Sequence, residues 1–141
     1  MPVRGSISHL DLNVSDPARS LPFYALVLGY LGLQQVRVAE ERGIWEQALP
    51  SGGSWGIEVR APRGTLEGRP HERYAPGIDH LAFHAASRAD VDGLYTVLIE
   101  AGYHVADPPA EYDYTPGYYA VAFDDPDGIR LEVVHEPMAN P

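Results

Sequence analysis

Four residues in this chain have the type and placement to hold a metal ion: His9, Glu58, His80 and Glu132. The histidines lie in two similar stretches, Ile7-Ser8-His9-Leu10-Asp11-Leu12 and Ile78-Asp79-His80-Leu81-Ala82-Phe83-His84. The glutamates lie between apolar neighbours, Ile57-Glu58-Val59 and Leu131-Glu132-Val133. A carboxylate in such a setting is costly to bury unless something pairs with it. Imidazole and carboxylate together suit Zn, Fe, Ni, Co or Mn. Two His with one or two carboxylates also leave positions open for substrate or water, as a catalytic metal requires. Any one of the four alone reads as an ordinary strand residue, hydrogen-bonded or facing solvent. Four of them in register across a repeat read as the ligand set of a divalent ion.

The register comes from an internal repeat, which decides the fold before anything else. His9 meets His80, Ile7 meets Ile78 and Leu10 meets Leu81; further on, Tyr24 meets Tyr95. A closing hairpin recurs as well, setting Trp45 against Tyr119, Leu49 against Phe123 and Glu58 against Glu132. Alternation predicts a strand over Ile7–Val14, with His9, Asp11 and Asn13 on one face. A helix follows over Asp16–Leu28, with Ser15 or Asp16 as cap, Pro17 at an early position, and an apolar stripe of Leu21, Tyr24, Ala25 and Leu28. Strands are expected over Gly32–Val38, Gly43–Leu49 and Trp55–Arg60. The second half repeats the order: a strand over Gly77–Ala85, a helix over Ser87–Ala101, a strand over Tyr103–Asp107, a loop over Pro108–Pro116, and a hairpin over Tyr118–Val134 that turns at Asp125-Pro126-Asp127-Gly128. Each half is therefore βαβββ, with modules at about 6–61 and 77–136, a linker over 62–76 and a frayed tail over Met138–Pro141. One helix leaves one face of a four-stranded sheet uncovered, so the halves are expected to pack as one domain over 1–141. The expected class is α+β, a curved mixed β-sheet around a central metal-binding cavity. A pseudo-twofold axis would bring the two His–Glu pairs to one point if the halves pack face to face.

Composition narrows the partners. The 141 residues suffice for a core without staples, and there are no cysteines, which excludes disulfides and thiolate chemistry. A formal net charge of −10 speaks against nucleic acid and anionic membranes, both of which need basic patches. No apolar run approaches a membrane span, and Met1-Pro2-Val3-Arg4-Gly5 lacks the apolar core of a signal peptide. A cytoplasmic protein acting on a small molecule is expected.

Through Ile7-Ser8-His9-Leu10, Ile57-Glu58, Ile78-Asp79-His80-Leu81-Ala82-Phe83 and Asp125-Pro126-Asp127-Gly128-Ile129-Arg130-Leu131-Glu132, the chain resembles the vicinal oxygen chelate superfamily. That superfamily includes glyoxalase I, extradiol dioxygenases and bleomycin-resistance proteins. The resemblance implies paired βαβββ modules, a metal at His9, Glu58, His80 and Glu132, and a substrate held through neighbouring oxygens. Two His with two Glu is the set of glyoxalase I, which implies lyase or isomerase chemistry with Glu132 as the base and Glu58 as its counterpart. The chain departs from bacterial glyoxalase I at two places. It has Asn13 where an Arg stands four residues after the first His, and Pro62 where an Asn stands four residues after the first Glu. The resemblance therefore does not extend to glutathione as the thiol. Extradiol dioxygenases usually carry a Tyr ten residues before the last Glu, where this chain has Ala122. His84 shares a strand face with His80 and is expected to be a hydrogen-bonded rim residue, or else an acid or base beside the metal. Tyr112, Tyr114, Tyr118, Tyr119, Trp45 and Trp55 suit a flat organic ligand. They also suit strand packing, and for Trp45 and Tyr119 packing is the expectation. Extradiol-type dioxygenation and antibiotic sequestration are the alternatives to the glyoxalase type, and a homodimer is expected.

Overall fold

The computed structural model describes residues 3–64 and 69–137, so the tail expected over Met138–Pro141 lies outside the described residues. The chain divides into two compact units, Met1–Pro70 and His71–Pro141. Each is a βαβββ module with one mixed four-stranded sheet.

In the first unit the order is β1 (His9–Asn13), α1 (Pro17–Tyr30), β2 (Gln34–Ala39), β3 (Arg42–Ala48) and β4 (Ser54–Arg60). Asp16 caps α1, its carboxylate accepting from the backbone N–H of Ala18 at 3.0 Å, and Pro17 opens the helix where its missing N–H is no loss. The buried stripe is Phe23, Tyr24, Val27 and Leu28 rather than the expected set; Leu21 and Ala25 flank it and are only partly covered. Pro22 sits inside the helix, which continues past it. The strands pair in the order β1-β4-β3-β2, β1 parallel to β4 and the others antiparallel. Helix α1 packs on β2, β3 and β4. The pleat sends Trp45, Ile57 and Val59 into this core, each 1% exposed or less.

The second unit runs β5 (Leu81–His84), α2 (Arg88–Glu100), β6 (Val105–Glu111), β7 (Tyr119–Asp124) and β8 (Arg130–His135), in the sheet order β5-β8-β7-β6. A capping box starts α2: Ser87 accepts from the N–H of Asp90, and the Asp90 carboxylate accepts from the N–H of Ser87. The helix packs on β6, β7 and β8 over a core that includes Val91, Leu94, Leu98, Phe123, Leu131 and Val133.

Three expectations are corrected. The strand predicted over Gly77–Ala85 is only Leu81–His84, so His80 directly precedes the strand instead of lying within it. Gly77 takes φ +147°, and the Ile129 N–H that lies just before the partner strand bonds to Asp125 inside its turn, so the parallel ladder starts at Leu81. Strand β6 runs through Pro108 and Pro109, which were expected in a loop. It is an edge strand with register shifts around Asp107, where a proline need not donate to a ladder. The counterpart of Trp45 is Phe123, not Tyr119: Trp45 pairs with Ile57 as Phe123 pairs with Leu131. The first hairpin is longer, since Glu58 lies four residues beyond Ser54, which closes its turn, and Glu132 two beyond Arg130.

Candidate functional site

In both units the sheet face turned away from the helix carries the candidate residues. On the second unit's face, Glu132 lies on β8 between Ala82 on β5 and Ala122 on β7. Ala120 lies one step further along β7 on the same face. Ala82 and Ala122 put only methyl groups beside the carboxylate, and Ala120 is buried. His80 approaches from just before β5, its Nε2 3.3 Å from Glu132 Oε2. Its Nδ1 is 2.8 Å from Asp79 Oδ1, and Arg73 Nη2 donates to the same oxygen at 3.1 Å. The hydrogen bond from His80, and then Arg73, hold the Asp79 carboxyl below the usual carboxylate range. The Tyr118 hydroxyl donates to Glu132 Oε1. Burial, and then that bond to Glu132, push the Tyr118 phenol upward, so it remains a donor through the neutral range. His84 is exposed on the same face, two residues beyond Ala82, and no hydrogen bond holds its ring among the described residues.

Tyr118 carries a link that its sequence position did not announce. It lies just outside β7, and only the fold brings its hydroxyl to Glu132. Its ring stands edge-on to Tyr112 and Tyr114, which stack on one another at 5.5 Å between centroids. A cleft of about 360 Å³ runs along residues 111–118 beside them.

The first unit presents the repeat of this arrangement with different neighbours. Asp11 lies directly opposite Glu58, and His9 one step back opposite Gly56. His9 Nδ1 meets the Ser8 hydroxyl at 3.1 Å. Glu58, with a side chain only 12% exposed, is clamped by two arginines: Oε1 is 2.6 Å from Arg42 Nε and 3.1 Å from Arg60 Nη1, and Oε2 accepts from Arg42 Nη2 at 3.2 Å. The 2.6 Å approach is an ion pair out of line for a hydrogen bond, which leaves both atoms without one. Arg42 and Arg60 face each other across β3 and β4, and Glu58 offsets a like-charge pair that would otherwise destabilise the sheet. A cleft of about 270 Å³ is lined by His9, Asp11, Glu46 and Glu58 among others. Trp45 is not on this face but in the core, and Trp55 donates its indole N–H to Gln47.

The donor chemistry of the second unit's pair fits a divalent metal. Two donors each about 2.0–2.2 Å from one ion stand roughly 3–3.4 Å apart, and His80 Nε2 and Glu132 Oε2 are separated by 3.3 Å. A ligand His commonly gives its other N–H to a carboxylate, the place Asp79 occupies here. Within neither unit do three His, Asp or Glu side chains converge into a complete metal-holding group among the described residues. Glu58 fits less well, because its oxygens are already engaged by guanidinium groups.

Comparison with known proteins agrees with this architecture. Residues 6–133 match the family model described as the Glyoxalase/Bleomycin resistance protein/Dioxygenase superfamily. The chain is 35% identical over 136 residues to the Bacillus subtilis (strain 168) protein YqjT, itself uncharacterized, covering 89% of this chain and 95% of that one. A solved Bacillus halodurans glyoxalase candidate superposes with a TM-score of 0.79 at 27% identity, over 94% of this chain and 97% of that one. A glyoxalase/bleomycin resistance protein from Albidiferax ferrireducens T118 gives 0.67 at 26% identity, over 93% and 98%.

Proposed function

The chain belongs to the Glyoxalase/Bleomycin resistance protein/Dioxygenase superfamily, and on that footing we propose that it is a divalent-metal-dependent enzyme of the glyoxalase type, a lyase or isomerase that moves a proton next to a carbonyl of a small substrate. The observation that carries this is the His80–Glu132 pair, spaced like neighbouring ligands and steadied from both sides by Asp79 and Tyr118. His80 and Glu132 are assigned as ligands in the second unit, with His9 and Glu58 as their repeat counterparts in the first. A divalent ion held by such residues supplies Lewis-acid polarisation of the substrate's neighbouring oxygens.

The chain's own residues divide the remaining work. Glu132 is the base: Tyr118 occupies Oε1, so Oε2 is the oxygen that would take the proton from the substrate carbon and return it to the adjacent one, once the carboxylate has loosened from the ion. Ala82 and Ala122, the cross-strand neighbours of Glu132, put only methyl groups beside that carboxylate. Glu58 is less suited to the task, since its lone pairs are shared between Arg42 and Arg60.

The same clamp on Glu58 favours a second reading. With Glu58 held by arginines, Glu132 is the one glutamate of the repeat left outside such a clamp, which departs from the two-glutamate set of the glyoxalase type and favours extradiol-type dioxygenation. Hydrogen exchange separates the two. Metal-loaded protein is incubated in deuterated water with hemithioacetals and α-hydroxyketones, and the substrate carbon is followed by NMR. Exchange is expected, and Glu132→Gln should slow it by ~10²–10⁴-fold, the usual cost of losing a general base; Glu58→Gln should cost far less. Oxygen uptake with a catechol and no exchange would establish the dioxygenase. Tight binding of an aromatic antibiotic by metal-free protein, without turnover, would establish sequestration.

A further inference from the structure

The two histidines of the repeat differ in the residue before them, Ser8 in one case and Asp79 in the other. We propose that Arg73 and Asp79 are positioning residues that hold His80 as its Nδ1–H tautomer, with the Nε2 lone pair turned toward Glu132.

An ionised carboxylate only accepts hydrogen bonds. At 2.8 Å from Asp79 Oδ1, His80 Nδ1 must therefore carry the hydrogen. The other nitrogen of a neutral imidazole is then an acceptor, a ligand lone pair. That nitrogen is the one 3.3 Å from Glu132 Oε2, itself an acceptor, so the two lone pairs face each other as they would across a shared cation. Ser8 imposes no such choice on His9, because a hydroxyl donates as readily as it accepts.

Asp79 is itself exposed, at 54% of its side chain, and an exposed pair alone holds a geometry weakly. Arg73 supplies what is missing. Its Nη2 donates to the same Asp79 oxygen, its Nη1 donates to the Tyr74 hydroxyl at 2.9 Å, and its guanidinium lies 5.0 Å from the Tyr74 ring centroid. The Nε is buried with no hydrogen-bond partner, so the side chain is seated rather than waving in solvent. The segment ahead of the second unit's first strand, expected to be only a linker, thus reaches the candidate site through Arg73-Asp79-His80-Glu132.

The test reads the tautomer directly, in full-length ¹⁵N-labelled protein stripped with chelator and kept well above the ordinary His pKa of about 6.5. Long-range ¹H–¹⁵N correlation assigns the ring of His80, with His80→Gln as the reference. The wild type should show hydrogen on Nδ1. Asp79→Ala should move His80 to a mixture rich in the Nε2–H form, Arg73→Met should move it part of the way, and Arg73→Lys should restore most of the wild-type ratio. A wild-type His80 with its hydrogen on Nε2, or with hydrogen on both nitrogens, would overturn the proposal, as would an unchanged ratio in Asp79→Ala. The consequence for metal binding rests on the proposed function and is measured on the same samples by titration with Ni²⁺. Asp79→Ala should weaken binding by about 10–100-fold, the usual effect of removing a carboxylate behind a ligand His. Equal Ni²⁺ affinity in wild type and Asp79→Ala would overturn the positioning role. A wild type that binds no Ni²⁺, Zn²⁺ or Co²⁺ would instead remove the metal enzyme and leave the tautomer assignment standing.

Discussion

Glu58 and Glu132 occupy the same place in the repeat, and their neighbours answer them differently. Glu132 faces a histidine and a phenol, while Glu58 faces two arginines. If the arginines serve to neutralise Glu58, then Arg42→Met with Arg60→Met should strand a carboxylate whose side chain is 12% exposed. The expected loss is about 1–3 kcal/mol, the usual cost of leaving a buried polar group unpaired. Adding Glu58→Gln to the double variant should recover most of it. Urea unfolding of the three proteins measures this; a double variant as stable as the wild type would deny the clamp its role. The repeat made the two His–Glu pairs legible in the sequence. It could not show the clamp, because Arg42 comes near Glu58 only through a register that sets Arg42 against Arg60 and Ile44 against Glu58. Tyr118 was hidden for a similar reason: fourteen residues of hairpin separate it from the carboxylate it touches.

At the scale of the elements, one aromatic residue of each sheet has a close packing partner that a substitution can disturb. In the first unit this is Trp45, 1% exposed, beside Gly43. A Cβ on Gly43 would lie 2.5 Å from Trp45 Cη2. Gly43→Ala should therefore destabilise the fold by about 1–3 kcal/mol through overpacking, read as a lower urea midpoint with an unchanged slope; an unchanged midpoint would mean that the indole moves aside freely. In the second unit Tyr119 ties β7 to α2, donating to Asp92 at 2.5 Å beneath Arg88, whose guanidinium lies 4.1 Å from the ring centroid. The bond to Asp92 is the main cause that raises the Tyr119 phenol above its ordinary value. A raised folded-state value means stability that is complete below the unfolded value of about 10 and is lost as pH climbs through the folded one. Tyr119→Phe should lack that alkaline component, so urea midpoints of the two proteins should converge as pH rises above ~10; parallel curves would contradict the tie. Element order and type were legible because apolar periodicity and caps are local. The ends of β5 and β6 were not, since one depends on a turn beside the partner strand and the other on being at a sheet edge, where Pro108 and Pro109 cost no ladder bond.

At the scale of the whole molecule, the chain is two βαβββ units of one superfamily, each with a Glu on the sheet face turned away from its helix and a His in or just before its first strand. Among the described residues no helix is long and apolar enough to cross a membrane. The duplication explains why so much of the architecture could be read from the sequence: each half supplies a check on the other. The divergence of the two faces explains why the chemistry could not, since the residues that distinguish Glu132 from Glu58 are brought in by register and by loops. The central claim is that a divalent ion binds through His80 and Glu132, and a direct measurement is calorimetric titration of chelator-stripped protein with Ni²⁺ and Zn²⁺. Saturable binding is predicted for the wild type, with a loss of at least ~10-fold in affinity for His80→Ala and for Glu132→Gln, and His9→Ala examines the first unit's histidine in the same way. Equal affinity in wild type, His80→Ala and Glu132→Gln, or no binding by any of them, would contradict it.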